Sequence, residues 1–512
     1  MSDESNAASH FIDRHLSEGR GAKAAFIDAT GPHSYAELAR LVNEAGNLLR
    51  SLNVSRGDRV MLCMNDSIFF PAVFFGALKI GAIPVPVNTL LVPEDYHYLV
   101  ADCRPRAMVV SVPLLSRCEA ALMEFVDRAA VLIEGDGAHL YASLEAALAG
   151  SGDRLDAVPI SSQDVGFWLY SSGSTGGPKG VIHRHEDLVS TAELYGSGVL
   201  ELNEHDVIFS ASKMFFAYGL GNSSTFTLHA GATAILLPDR PTPEVVLATL
   251  LEREVTAFFG FPTLYGAMLA AAESQGSGKF DKLRLCMSAG EALPLALAER
   301  WFTRFGVEIL DGIGSTEALH IFISNRPGDV RYGTSGKPVD GYEVKIRDEH
   351  GAEPAPDQIG DLWCRGPSIG VGYWNNPEAT SRTFVDGWLR TGDKYFRDAD
   401  GYYHYSGRSD DMLKVGGVWV SPYEVESALI AHPAVLEAAV VGHSNVDGLI
   451  KPKAYVVLKD PASASPALAD TLMQFVKTKI APYKHPHWIE FRSELPKTAT
   501  GKIRRNVLRD QK

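Results

Sequence analysis

The stretch GFWLYSSGSTGGPKG (Gly166–Gly180) sets an apolar run ahead of a loop of Gly, Ser and Thr that ends in lysine. Such a loop offers backbone N–H groups, hydroxyls and one cation to a phosphate. It departs from the loop of P-loop triphosphatases in two places. Pro178 stands where a glycine should precede the lysine, and Gly180 stands where a Ser or Thr should ligate magnesium. A cradle of this kind must find its metal ligand elsewhere in the chain.

The apolar run belongs to a series. ATAILLP, TAFFGF, LRLCMSAG and VEILD follow it, separated by helical patterns such as PEVVLATLLEREV and PLALAERWFTRFG. Strand-length runs alternating with helices predict a doubly wound, mainly parallel sheet with ligand sites at the carboxyl ends of its strands. Upstream, RVMLCM, IPVPV, RAMVVSV and AAVLI repeat the rhythm. The helix SYAELARLVNEAGNLLRSL carries Ser34 and Glu37 as a capping box and an apolar face expected to dock on a sheet. From Gly333 to Asp400 the chain turns to Gly, Pro and alternating apolar residues, which predicts a β-rich subdomain. After Arg408, MLKVGGVWVSPYEVESALI, VLEAAVVG and KAYVVLK predict a separate small lobe. The expected class is α/β. Doubly wound sheets plus a β-rich subdomain fill a large N-terminal domain over 1–409, and a small mobile α+β domain covers 410–512.

A length of 512 residues exceeds what one core usually supports, and 46% hydrophobic against 21% charged residues allows substantial cores. The net charge of −14 argues against nucleic acid as the main partner, because phosphate backbones need a basic surface. Five cysteines without C-x-x-C spacing suggest neither a zinc site nor a disulfide framework, so a reducing cytoplasm fits best. No stretch reads as a signal peptide or a membrane span. The tail from Ala481 carries eight Lys or Arg against three acidic residues, and reads equally as a solvated face or as a lobe closing over an anion.

The metal ligand is found in IGSTEALH, where Glu317 follows Thr316; a carboxylate beside hydroxyls supplies the hard oxygens that Mg²⁺ prefers. TGD (Thr391–Asp393) offers a carboxylate suited to ribose hydroxyls, and GRSDD and PKTATGKIRR follow. These five stretches, in this order, resemble the adenylate-forming superfamily of acyl-CoA synthetases, peptide-synthetase adenylation domains and beetle luciferases. The resemblance covers essentially the whole chain. It implies that ATP is cleaved to pyrophosphate as a carboxylate attacks the α-phosphorus. Ser171, Ser172, Gly173, Thr175 and Lys179 match the pyrophosphate loop, Thr316 the α-phosphate contact and Glu317 the magnesium ligand. Asp393 and Arg408 match the ribose contacts and Asp410 the hinge of the small lobe. Lys502 matches the lysine that reaches the carboxylate and α-phosphate, which gives the basic tail its purpose. Ala289, Gly290, Glu291, Asp311 and Ile313 match the surroundings of adenine, with aliphatic Ile313 where many relatives carry an aromatic ring.

The segments KMFFAYGLGN, SAGEALP, DGIGSTEALHIF and DDMLKVGGVWVSP look closest to benzoate-CoA ligases and hydroxybenzoate-CoA ligases. The resemblance places Phe216, Ala217, Tyr218, Gly219, Gly312, Gly314, His320 and Ile321 around the acyl group. Taken alone, Phe216, Tyr218 and His320 read as ordinary packed core. Lys414, Gly416 and Gly417 match the segment that meets the pantetheine arm of coenzyme A after the lobe rotates, the glycines leaving room along the backbone. The expected activity is an aryl-CoA ligase acting on benzoate, with ATP, Mg²⁺ and coenzyme A. The alternatives are a 4- or 3-hydroxybenzoate-CoA ligase, an acyl-AMP ligase serving a carrier protein, and a non-catalytic nucleotide-binding protein. The resemblance also makes a lysine acetyltransferase acting on Lys502 an expected regulator, and leaves monomer and homodimer both open.

Overall fold

A computed structural model of the chain describes residues 6–125, 130–137, 140–171, 177–275, 278–415, 418–444, 449–497 and 503–509. The upstream apolar runs form one sheet in which Ile83–Pro86, Arg59–Cys63, Ala107–Ser111, Ala130–Glu134 and Ala142–Ser143 lie side by side, all parallel. A second sheet has at its centre Ile309–Gly314, Leu285–Ser288, Ala257–Gly260, Val207–Ser210, Thr233–Ile235 and Ala24–Asp28, again parallel. Sheets covered on both faces account for apolar runs without alternation. Asp311, Gly312, Ile313 and Gly314 sit on the edge of this parallel set, on the strand Ile309–Gly314, with Thr316 and Glu317 in the turn beyond it.

GFWLY does not join the parallel sheet. Val165–Ser171 pairs antiparallel with Lys179–Arg184, which pairs antiparallel with Gly372–Tyr373, as a separate three-stranded sheet. The segment between Ser171 and Lys179 is too short for the crossover that parallel pairing requires. The helix Tyr35–Ser51 also departs from expectation, because its main neighbour is the helix Phe69–Lys79. A Cβ added at Gly76 would lie 2.8 Å from Ala45 Cβ and 2.9 Å from Gly46 N, so the two helices cross nearly backbone to backbone. Only half of its capping box is made. Ser34 Oγ accepts from Glu37 N at 3.1 Å, whereas the Glu37 carboxylate turns to His33 Nδ1 at 3.1 Å.

The β-rich subdomain is an antiparallel sheet of Glu343–Arg347, Gly360–Arg365, Trp388–Arg397, Phe384–Val385 and Tyr403–Arg408. In the separate C-terminal domain the central strand Ile450–Leu458 pairs antiparallel with Val435–Ser444 and parallel with Trp488–Arg492. The helices Pro422–Ile430 and Pro466–Lys479 cover that sheet around a core that includes Val425, Leu429, Val440, Val456, Leu472 and Val476. Much of the tail's positive charge is spent inside this domain. Arg505 bonds Glu426 at 2.7 Å, Lys484 bonds Glu424 at 2.6 Å, Lys497 bonds Glu437 at 2.7 Å, and Arg509 pairs with Asp411. The tail is therefore not a uniformly basic face. Among the described residues no helix is long and apolar enough to cross a membrane.

Candidate active site

The hairpin Val165–Ser171/Lys179–Arg184 sets Ser171 opposite Lys179, which fixes both ends of the glycine loop. Ser172, Gly173 and Thr175, expected on that loop, lie outside the described residues. Ser171 Oγ donates to Glu317 Oε1 at 3.1 Å, and Tyr373 Oη donates to the same oxygen at 2.8 Å. Lys179 Nζ stands 5.4 Å from the centre of the Tyr373 ring. The glycine loop and the Thr316–Glu317 turn thus meet at one carboxylate. Tyr373 was not singled out in the sequence, where GYWNNPEAT offered only an aromatic after a glycine. The burial of its phenol and the neighbouring Glu317 push its hydroxyl pKa up, so it stays a donor.

One carboxylate among hydroxyls suits Mg²⁺, which keeps several waters and leans on one or two protein carboxylates plus substrate phosphates. Among the described residues no cluster of three or more His, Cys, Asp or Glu side chains could hold a metal without such help. Backbone geometry in the turn is constrained as well. Leu319, buried and bulky, has φ +65°, a strained conformation of the kind that persists where the surroundings enforce it.

Parallel pairing sets Ser288 beside Asp311, so SAGEALP and DGIGSTE emerge together at the carboxyl ends of adjacent strands. Gly290 takes φ +91°, which turns the chain toward this edge. Asp311 Oδ2 accepts from Leu293 N at 3.5 Å, while its Oδ1 and the Ser288 Oγ are buried without partners. Burial pushes the Asp311 carboxyl well above the usual carboxylate range, against the pull of the Leu293 and Gly312 amides. Ile313 is half-buried opposite Ile323.

The antiparallel register that pairs Asp393 with Arg408 brings the two ribose candidates together: Arg408 Nη1 donates to Asp393 Oδ1 and to the Thr391 carbonyl, each at 3.1 Å. Asp410 lies 3.6 Å from Arg408 Nε. The backbone of Lys414 is on the strand Leu413–Val415, but its side chain, Gly416, Gly417 and Lys502 lie outside the described residues. Next to Lys502, Ile503 N donates to Glu291 Oε1 at 3.2 Å, and Tyr423 Oη donates to the Leu293 carbonyl at 3.2 Å. The C-terminal domain therefore rests on the segment that holds Ala289, Gly290 and Glu291.

The acyl candidates also converge. His320 is fully enclosed, with ring centres of Phe226, Tyr195 and Tyr218 at 4.5, 5.4 and 5.4 Å, and its Nε2 bonds Asn222 Oδ1 at 3.1 Å. Burial pushes its imidazole down to about 3, so the ring is neutral. Its Nδ1 and the Tyr218 hydroxyl are buried without hydrogen-bond partners. Phe216 precedes the short helix Ala217–Gly219 and packs on Phe215, with ring centres 4.4 Å apart. The glycines are spatially required. A Cβ would meet the Lys213 carbonyl at 2.0 Å from Gly219, the Ile323 carbonyl at 2.9 Å from Gly312, and the His320 carbonyl at 2.5 Å from Gly314. Ile321 lines the neighbouring strand, 3.1 Å from the Cβ position at Gly312.

The Glu317 carboxylate shared with the glycine-loop strand, the Asp393–Arg408 pair and the C-terminal domain resting on Glu291 and Leu293 fit the layout expected of a nucleotide-activating ligase. Residues 13–374 match the family model for AMP-binding enzymes, and residues 424–502 match the C-terminal domain of AMP-binding enzymes. The chain belongs to the AMP-binding enzyme family. It is 52% identical over 506 residues to a benzoate–CoA ligase of Thauera aromatica, covering 98% of this chain and 95% of that one. Among solved structures it resembles a benzoate CoA ligase from Burkholderia xenovorans LB400, at 46% identity and TM-score 0.93 over 99% and 100% of the two chains. It also resembles the anthranilate CoA ligase AuaEII in complex with anthranoyl-AMP, at 43% identity and TM-score 0.95 over 99% and 97%.

Proposed function

We propose that the protein is an AMP-forming aryl-CoA ligase that converts benzoate to benzoyl-CoA through benzoyl-AMP. The observation that supports this reading is the aromatic enclosure of a neutral His320 three residues beyond Glu317, surroundings that would suit a flat apolar acid beside the phosphate contacts. Likeness to benzoate-CoA ligases over nearly the whole chain supports it.

In the first step a benzoate oxygen attacks the α-phosphorus of ATP and the bond to pyrophosphate breaks. Lys179 and the glycine loop take the charge of the leaving pyrophosphate, Thr316 faces the α-phosphate, and Asp393 with Arg408 holds the ribose. Ser171 and Tyr373 orient the Glu317 carboxylate, which would hold Mg²⁺, and the ion would supply charge to the triphosphate. Lys502 stabilises the attacking carboxylate. In the second step the C-terminal domain, beginning at Asp410, turns to present Lys414, Gly416 and Gly417. The sulfur of coenzyme A then attacks the acyl carbon and AMP leaves. No protein nucleophile enters, so positioning and electrostatics do the catalysis. A cytoplasmic place accords with these substrates.

A second reading, a hydroxy- or aminobenzoate as the acid, draws on the partnerless Tyr218 hydroxyl and His320 Nδ1, which could meet a ring substituent. A panel of aromatic acids in a pyrophosphate-release assay, with and without coenzyme A, separates the readings. Benzoate with the highest kcat/KM, and thioester formed only with coenzyme A, supports the first. A clear preference for a hydroxylated or amino acid supports the second.

A further inference from the structure

His183 lies in the hairpin strand Lys179–Arg184, fully buried, and joins two parts of the site that, among the described residues, share no backbone–backbone hydrogen bond. Its Nε2 donates to the Thr316 carbonyl at 2.8 Å, and its Nδ1 faces Asp187 Oδ2 at 3.0 Å. Asp187, equally buried, also accepts from Arg184 N at 3.1 Å and Arg184 Nε at 3.0 Å, so the carboxylate behind the imidazole is itself fixed. Phe167 stacks on the ring with centres 5.2 Å apart and planes 17° apart.

The bond to Thr316 is one of three in a row. The Glu317 carbonyl accepts from Gly370 N at 2.9 Å, and the Ala318 carbonyl accepts from Ser368 Oγ at 2.7 Å. Arg184 Nη2 in turn donates to the Pro367 and Ile369 carbonyls at 2.9 and 3.2 Å, which ties that supporting segment to the same hairpin. Three consecutive carbonyls of the turn are thus held from behind, two by backbone or hydroxyl groups and one by an imidazole. Only the imidazole reaches across from the strand that carries Lys179.

We propose that His183 is a positioning residue for adenylation: by donating from Nε2 to the Thr316 carbonyl, with Asp187 setting its ring, it locks the Thr316–Glu317 turn to the hairpin that bears the glycine loop and Lys179. It touches no substrate. Its effect is on the mutual placement of the phosphate contacts, where a displacement of about 1 Å costs on the order of a hundredfold in rate.

The inference rests on the reading of Thr316 and Glu317 as phosphate and magnesium contacts, and a separate variant tests that reading. Glu317→Gln should abolish ATP–pyrophosphate exchange while the protein stays folded; full exchange in that variant would sink the site reading itself. For His183 the two conservative amides divide the ring's functions. Gln places its amide N–H near the Nε2 position and keeps the bond to Thr316, whereas Asn reaches Asp187 and cannot span to Thr316. The full chain is compared for urea stability, for equilibrium binding of a non-hydrolysable benzoyl-adenylate analogue, and for exchange rate against Mg²⁺ concentration. Asn should lower the exchange rate about tenfold or more and raise the half-saturating Mg²⁺ concentration. Gln should stay within about threefold of wild type, at matched stability. Rates that fall equally in both variants, or in neither, overturn the proposal. Should the Asn variant not fold, the Gln variant decides: folded with a retained rate it supports the proposal, and folded with a collapsed rate it overturns it.

Discussion

The backbone N–H of Ile503 donates to the Glu291 carboxylate at 3.2 Å, joining the residue after Lys502 to the segment that emerges beside the adenine-side strand. Tyr423 adds to this contact, bonding the Leu293 carbonyl and setting its ring 5.3 Å from that of Tyr405, so the C-terminal domain is held over the N-terminal one at several points. Removing the acceptor should loosen the domain in the orientation that serves adenylation. Glu291→Ala is expected to slow single-turnover benzoyl-AMP formation about tenfold, the loss of one charge-assisted contact, and to leave thioester formation from synthetic benzoyl-AMP unchanged. Glu291→Gln keeps an acceptor and should recover most of the rate. Equal losses in both half-reactions would show that Glu291 serves the fold or the nucleotide alone.

The acyl pocket makes a prediction about small residues as well as rings. A Cβ at Gly221 would stand 2.4 Å from His320 Cδ2, so Gly221→Ala must push the imidazole out of its place between Tyr218 and Phe226. The KM for benzoate should rise about tenfold or more, with the KM for ATP nearly unchanged, because a disturbed methylene-sized contact in an apolar pocket carries that order of discrimination. Phe216→Ala and Tyr218→Ala should act in the same sense. Steady-state kinetics with each substrate varied is the check, and parallel rises in both KM values would reassign these side chains to general packing.

Much of this arrangement could be read from the chain, and each misreading has a physical cause. The motifs and the resemblance they carry pointed to Glu317, Asp393 and Arg408, and the structure pairs Asp393 with Arg408 and sets Glu317 against Ser171 and Tyr373. Sequence order could not show that GFWLY pairs backwards in a hairpin, since an apolar run looks alike in parallel and antiparallel sheets. Tyr373 and His183 escaped for another reason: their roles come from partners far along the chain, Glu317 for one and Thr316 for the other. Neither stands in a pattern that announces long-range contact. The basic tail was legible as a charge run but not as a paired one, because its partners lie far back along the chain, Glu424 and Glu426 on the helix Pro422–Ile430 and Glu437 on the strand Val435–Ser444.

Acid should weaken the fold in a defined window. Burial, first among the causes, pushes the imidazoles of His10, His15 and His320 down to about 3 and those of His185 and His229 to about 4, from 6.5. Below 6.5 the unfolded chain binds protons that the folded chain refuses, so this contribution is complete above 6.5 and is lost as pH falls toward 3. The raised carboxyls of Asp66, Glu134 and Asp311 work in the opposite sense, so a difference between variants is the clean measure. His320→Gln should flatten the dependence of unfolding free energy on pH by about one proton between roughly pH 4 and 6. An unchanged slope would mean that His320 is protonated in the folded protein.

If the two half-reactions use two faces of the C-terminal domain, Lys502 serves one of them and not the other. Its ammonium should stabilise charge on the attacking carboxylate and the α-phosphate, so Lys502→Ala is expected to cost at least ~3 kcal/mol in the adenylation barrier, a scale typical of one preorganised contact. Acetylation of Lys502 should mimic the loss by removing the charge. The decisive measurement is single-turnover kinetics of both steps in Lys502→Ala: benzoyl-AMP formation from benzoate and ATP, and benzoyl-CoA formation from synthetic benzoyl-AMP and coenzyme A. The first step should fall some hundreds-fold with a near-normal second, and equal slowing of both steps would contradict this division of labour between the two faces.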